Sequence, residues 1–309
     1  MTSIGLIDRD GCPLCYGREA TIFIPFPAIP VVRCRSCGFL YSSRVFAEGT
    51  LATYYETGFG GLRHRRGQLV NAAVNAMVLE RIVDFGAVRT LLDVGTGYGF
   101  LLRELSARHE LRATGVEVSR QEADHARRVL DLDVRNCSLA ESGLRREAYD
   151  LVTTFEVIEH VPYPRRFLTE LAEYVKPGGY LVVMTDNFDG RMAKSLGAAF
   201  PKWIPHSHIS HFSPATLRKA IEGTGTLEIV RSLSFTPWDV LLRDAYYRAR
   251  GIKKKPAEVF DLETTLATEM RGTYRLFSIR RLLNRTWARL TISAEMDGDL
   301  MYYLCKKRS

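Results

Sequence analysis

The chain has 309 residues, 46% hydrophobic and 25% charged, with a formal net charge of +8. It is long enough for one large domain or two modest ones with a substantial core, and its composition is that of an ordinary soluble globular protein. No apolar run approaches membrane-spanning length, and Met1–Asp8 has neither the basic region nor the apolar core of a signal peptide, so a cytoplasmic location is expected.

Cys12-Pro-Leu-Cys15 and Cys34-Arg-Ser-Cys37-Gly38 form two C-x-x-C pairs separated by 18 residues. This spacing suits a tetrahedral four-thiolate zinc site with Cys12, Cys15, Cys34 and Cys37 as ligands, ahead of a disulfide or redox pair. Thr21–Ile24 and Val31–Arg33 read as short ribbon strands, which places a zinc ribbon at 1–45. Residues 46–88 read as a connecting segment, with Thr53-Tyr54-Tyr55 and Gly58–Gly61, followed by a helix over Gln68–Phe85. Strands are then predicted near 89–94, 113–118, 133–135, 149–155 and 179–185, with helices near 99–108, 119–130 and 164–175. That alternation argues an α/β fold with a parallel, doubly wound sheet. Lys176-Pro-Gly-Gly179 reads as a helix stop. Ser213-Pro214 reads as a helix start. Strands follow near 226–231 and 300–305, separated by a helical insertion at about 236–297 that reads as a lid and contains Lys253–Lys255. Cys305 reads as a small core residue.

Between Arg231 and Ser309, 16 Lys/Arg outnumber 9 Asp/Glu, a local excess of +7. This bias reads either as a surface for an anionic partner (nucleic acid, a phosphorylated substrate or a membrane) or as a solvated helical face.

The turn Asp93-Val-Gly95-Thr96-Gly97-Tyr98-Gly99 directly follows an apolar run, and Glu117 ends the next strand. Glycines there allow a sharp turn and close approach to a ligand, and a carboxylate about 20 residues on suits both ribose hydroxyls. The spacing is G-x-G-x-G, not that of a dinucleotide site. Together with Tyr149–Glu156, the continuation Val157-Ile-Glu159-His160-Val161 and Lys176–Gly179, the turn resembles the class I S-adenosylmethionine (SAM) methyltransferases.

The resemblance implies a Rossmann-like sheet over 89–309 that binds SAM. Asp93 and the turn through Gly95, Thr96, Gly97 and Gly99 would lie by its methionine part. Glu117 and Val118 would hold the ribose, Ser138 and Leu139 would lie near the adenine, and Glu156 would face the sulfonium or the acceptor. Asn136-Cys137 stands where the family usually has Asp. The family also implies a small-molecule acceptor, a sugar, glycan or natural-product intermediate methylated on oxygen or nitrogen, with an RNA methyltransferase and a non-catalytic SAM-binding scaffold as rivals.

Glu156, Glu159 and His160 share a helical face if that segment is helical. Related ubiquinone-pathway enzymes use a similar Glu-x-x-Glu-His for a divalent ion, whereas metal-independent relatives use it to brace the sheet. His208, His211 and His160 are the candidate general bases, against a packing role, and such a base would give an ascending pH–rate limb near about 6–7. Trp203 and Trp238 read as an apolar wall or as core.

Overall fold

A computed structural model of the protein describes residues 5–47, 50, 62–250 and 277–308. Its centre is a seven-stranded sheet built on short apolar runs. Strand β6 (Thr90–Val94) is buried along nearly its whole length because helices cover both faces. It lies between β7 (Arg112–Val116) and β9 (Tyr149–Phe155), both parallel to it. The order across the sheet is β12-β13-β10-β9-β6-β7-β8, with β8 at Asp133–Arg135, β10 at Val175–Asp186, β12 at Leu227–Phe235 and β13 at Leu300–Lys307. Only β13 runs antiparallel to its neighbours, between β10 and β12. The chain reverses outward from β6 on either side, so the carboxyl ends of β6 and β9 open a crevice.

Local sequence explains the covering helices. In α4 (Pro164–Tyr174), Pro164 opens the first turn, and Leu168, Leu171 and Ala172 recur on the buried face. In α6 (Pro214–Glu222), Ser213 and Thr216 form a reciprocal capping box. Helices α1 (Leu62–Ile82), α2 (Phe100–Ser106) and α3 (Arg120–Arg128) cover the other side, and α5 spans Arg191–Leu196. In the insertion, α7 (Trp238–Ala249) and α8 (Phe277–Thr291) lie between β12 and β13 in sequence, α8 packs on α1, and Arg281 pairs with Glu104 of α2. The Lys253–Lys255 run, Thr53–Tyr55 and Gly58–Gly61 lie outside the described residues. No described helix is long and apolar enough to cross a membrane.

Two features depart from the sequence-based expectation. The helix before Lys176–Gly179 ends at Tyr174, close to the expected 175, but β10 begins at once rather than near 179: Val175 already pairs with Tyr149, and Lys176–Gly179 form an irregularity in β10 before Tyr180 resumes the ladder. Gly178 sits at φ 74 in that bulge, and Lys176 reaches back to Asp150 at 2.6 Å. The ribbon is also not self-contained. Its sheet runs β2 (Ala20–Ile24), β3 (Val31–Cys34), β4 (Leu40–Ser42), and the fourth strand, β11 (Ser210–His211), comes from a distant segment that follows β10. Ser210 pairs with Tyr41 and His211 with Leu40. Phe39 meets Phe212 at 5.0 Å, and Cys12, Cys34, Phe39 and Tyr41 share one apolar core with Leu92, Val94 and Leu181. Strands β1 (Leu6–Asp8) and β5 (Arg44–Phe46) pair beside it. Cys305 is fully buried in β13.

Candidate active site

The β6–α2 turn is left-handed at Gly95, Gly97 and Gly99 (φ 77, 57 and 81), a region that favours glycine. At Gly97 a Cβ would also strike the Gln68 amide, which reaches over from α1. Gln68 Oε1 accepts the Tyr98 N–H at 2.9 Å, while its Nε2 faces the buried Glu122 carboxylate at 3.4 Å. Glu117, at the end of β7, is buried. Its Oε2 accepts the Gly97 N–H at 2.8 Å and its Oε1 the Ser119 N–H at 2.7 Å. Burial first, then the charge of Glu122, pushes its carboxyl up to about 7. Asp93 is buried beneath the turn, accepts from Thr153 at 2.6 Å, and is pushed by burial to about 6.

At the positions expected near the adenine, the side chains diverge in role. Asn136 donates to the Glu117 and Val118 carbonyls at 2.9 and 3.0 Å, bracing the strand end that carries Glu117. The Ser138 hydroxyl caps its own turn through Glu141 at 2.6 Å, and the Leu139 side chain packs into the main core. Val118 is exposed.

Across the crevice, Glu156 ends β9 with φ 54, an uncommon backbone for a residue bearing a side chain. Its carboxylate lies 3.5 Å from Lys202 Nζ and 3.4 Å from Asn71 Nδ2 of α1. Glu156, Glu159 and His160 do not share a helix face, because 156–160 is a turn rather than a helix. The Glu159 carbonyl accepts the N–H groups of Ile209 and Ser210, at 2.9 and 3.0 Å, and this pins the histidine loop to the turn. The loop thereby brings His208 to His160, with ring centroids 4.8 Å apart and nearly perpendicular. His160 Nδ1 faces the Ser207 carbonyl at 2.9 Å. Asp186, at the end of β10, is buried between Lys202 (Oδ1, 3.1 Å) and His208 (Oδ2 to Nδ1, 3.4 Å).

This cluster is electrostatically loaded. Glu159 is pushed up to about 8 by burial, then by Asp186 and Glu156, while Thr185 donates to its Oε2 at 2.7 Å. Burial raises Asp186 to about 6 against the pull of Lys202. Burial works to lower Lys202, but Asp186 and Glu156 outweigh it and hold the ammonium above its ordinary value; the side chain keeps 37% exposure, so solvent screens the effect. With Glu159, raised to about 8, protonated near neutral pH, the Glu156 and Asp186 carboxylates against Lys202 leave this mouth at −1 in a chain of net charge +8. Among the described residues, Glu159 Oε1, Asp186 Oδ2 and His208 Nδ1 are buried without a hydrogen-bond partner.

Burial, then His160 and Lys202, holds His208 well below the ordinary histidine value. Any pH limb from this ring is therefore shifted below the expected 6–7. His211 lies away from the mouth. Because β11 is claimed by the ribbon, its ring is buried between Phe188 and Trp203, at 4.6 and 4.8 Å, and burial pushes it to about 3. Trp203 likewise belongs to the core that joins the ribbon to α5, through Ile24, Phe26 and Phe188.

Four residues of this geometry escape sequence reasoning. Gln68 and Asn71 are polar positions on a helix read only for its apolar stripe. Asp186 is the polar end of β10, a signal equivalent to Glu156 at the end of β9. Lys202 carries no local signal.

In the ribbon, the Cys12 and Cys37 sulfurs lie 3.6 Å apart and those of Cys15 and Cys34 3.5 Å, with all four within 4.8 Å of one another. A tetrahedron of 2.3 Å metal–sulfur bonds has edges of roughly 3.8 Å, so the cluster fits a four-thiolate ion. The ligand atoms of Glu159, His160 and His208 also fall within 4.8 Å of one another.

A seven-stranded sheet with one antiparallel strand, a glycine turn at its mouth and an acidic residue ending the next strand define a class I SAM-dependent methyltransferase. The chain belongs to the methyltransferase domain family, whose sequence profile matches residues 62–231. It is similar to the ubiquinone biosynthesis O-methyltransferase of Aeromonas salmonicida, 30% identical over 178 residues, which cover 52% of this chain and 73% of that enzyme. It is 36% identical to the same-named enzyme of Caulobacter vibrioides over 174 residues, covering 49% and 67%. Among solved structures, a chain of the complex between the Haloferax volcanii Trm112 methyltransferase activator and a methyltransferase superposes with a TM-score of 0.51 at 17% identity, over 84% of this chain and 98% of that one. A SAM-dependent methyltransferase from Thermotoga maritima superposes with a TM-score of 0.50 at 17% identity, over 79% and 94%. At these identities the likeness is one of fold.

Proposed function

We propose that the protein methylates a hydroxyl oxygen of an uncharged small molecule, a sugar, glycan or natural-product intermediate, with His208 as general base. The observation that carries this is a buried histidine, His208, whose Nδ1 faces the Asp186 carboxylate at 3.4 Å in a carboxylate-lined mouth. The O-methyltransferase relatives favour oxygen over nitrogen. The acidic mouth favours a sulfonium and disfavours an anionic acceptor, despite the basic bias of the chain as a whole.

The Glu117 carboxylate fits the adenosine: each oxygen takes one backbone N–H and keeps a free lone pair, giving two acceptor positions for two ribose hydroxyls. Asp93 and the Gly95–Gly99 turn would hold the methionine part, with Ser138 nearer the adenine and Glu156 beside the sulfonium. SAM supplies a methyl group on a leaving group that departs as a neutral thioether. The chain's task is to hold the acceptor oxygen in line, exclude water and take its proton at His208 Nε2. His211 and His160 would have supporting roles, His211 in packing and His160 beside the base.

Cys12, Cys15, Cys34 and Cys37 would hold a structural zinc ion. Residues 1–45 would form the ribbon, 46–88 the connection and 89–309 the catalytic domain, with 236–297 its helical insertion. We place the protein in the cytoplasm.

A second reading has support in Glu159, His160 and His208, whose ligand atoms lie within 4.8 Å of one another. A divalent ion there would bind and polarise the acceptor hydroxyl. Transfer of labelled methyl from SAM should reach hydroxylated small molecules and neither amines nor RNA; labelled RNA, or label only in amines, would overturn the first reading. Turnover that chelation abolishes and magnesium or manganese restores, with SAM affinity unchanged, would select the second.

A further inference from the structure

The geometry points to Asp186 as the positioning residue that sets the tautomer of His208, an inference that rests on His208 being the base. The backbone around His208 is fixed independently of any ligand. Its own N–H bonds to the Ile204 carbonyl at 2.8 Å, and the next two N–H groups bond to Glu159. The ring therefore has little freedom beyond its side-chain rotation.

Of the polar groups that meet that ring, His160 is committed through Nδ1 to the Ser207 carbonyl and presents itself edge-on. Glu159 is committed through one oxygen to Thr185. Asp186 is different. Lys202 holds its Oδ1 at 3.1 Å, and this turns Oδ2 onto His208 Nδ1 at 3.4 Å. Both of those facing atoms are buried and otherwise unpartnered. An approach of about half an ångström makes a hydrogen bond, and such contacts commonly tighten when an active site is loaded.

A neutral imidazole carries its proton on one nitrogen only. A carboxylate at Nδ1 selects the Nδ1–H form, which leaves the Nε2 lone pair for the acceptor. In the transfer, the carbon–sulfur bond breaks as the carbon–oxygen bond forms, and the hydroxyl proton passes to Nε2. The imidazolium then lies against the Asp186 carboxylate and returns its proton to water, while Asp186 itself gains none. Lys202 serves to aim the carboxylate, and Glu156, 3.5 Å from Lys202, offsets the extra positive charge.

Asp186→Asn keeps the shape but lets the amide satisfy either tautomer. Turnover should fall about 100-fold while the acceptor KM and SAM affinity stay within about threefold. Asp186→Glu should recover part of the loss, and adding Asp186→Asn to His208→Ala should lower turnover no further. Nitrogen-15 spectra of histidine-labelled protein should show His208 as the Nδ1–H tautomer in the wild type. Near-wild-type turnover in Asp186→Asn, where His208→Ala is impaired, would overturn the inference. If His208→Ala itself turns over normally, it is the base assignment that fails. Should Asp186→Asn not fold, the wild-type spectrum alone decides: an Nε2–H tautomer at His208 overturns the role of Asp186.

Discussion

The proposed cofactor side of the crevice comes mostly from one βαβ stretch, Asp93 to Glu122, with Gln68 laid across it. The proposed acceptor side draws Asn71, Glu156 and His160, Asp186, and Lys202 and His208 from four segments, and its histidine loop is completed by pairing with the ribbon. The first is a local device: glycines permit the turn, and one carboxylate ties it to the neighbouring strand through two backbone N–H groups. The second depends on every segment arriving together, because its buried charges are tolerable only while paired. A local device should survive damage elsewhere, and an assembled one should not.

The largest expected effect breaks the two sides apart. Cys34→Ser, or removal of zinc by a strong chelator, should release β3 and β4 and with them β11. Turnover should fall by about 1,000-fold or more while SAM affinity changes less than about threefold, since metal binding and ribbon folding are coupled. Calorimetry beside a turnover assay checks this, and equal losses of binding and turnover would show that the sides are not separable.

His208→Ala tests the acceptor side alone. Turnover should drop about 100-fold with SAM binding intact, the usual size of a general-base contribution. His211→Ala should lower the melting temperature, because it opens a cavity between Phe188 and Trp203, and should leave the chemistry of the folded fraction largely unaltered.

Glu117→Ala tests the cofactor side. Loss of a buried charged acceptor is worth about 2–3 kcal/mol, so SAM affinity should weaken roughly 30-fold or more by titration calorimetry. Unchanged affinity would remove Glu117 from the ribose site.

The smallest effect is in pH. The Glu117 carboxyl is raised to about 7 by burial and by Glu122, and only its ionised form accepts two hydroxyl donors. SAM affinity should therefore climb with pH up to about 7, by at most tenfold per unit, and level off above it. Glu117→Gln should flatten the curve. Burial shifts any limb from His208 below that range.

The sheet was legible because each strand is a short apolar run between turn signals and each helix keeps its own periodicity. The predicted strand near 149–155 and the observed Tyr149–Phe155 coincide for that reason. Lys176–Gly179 marked the helix end but hid the early start of β10, because proline and glycine stop a helix and bulge a strand alike, and only the pairing of Val175 with Tyr149 shows that the strand has begun. His211 misled because a histidine ahead of a helix start is equally suited to a substrate loop and to an edge strand. Its fate depended on Leu40, about 170 residues away in sequence.

By itself the sequence determined the order of strands and helices, the glycine turn with its carboxylate, and the four-thiol ribbon, since each depends on residues close together in the chain. The tertiary structure alone decided that the ribbon borrows β11, that Lys202 links Glu156 to Asp186, and that Asp186 faces His208. Those contacts join residues 16 to about 170 positions apart, and they are set by how buried charges find partners once the sheet has brought them together.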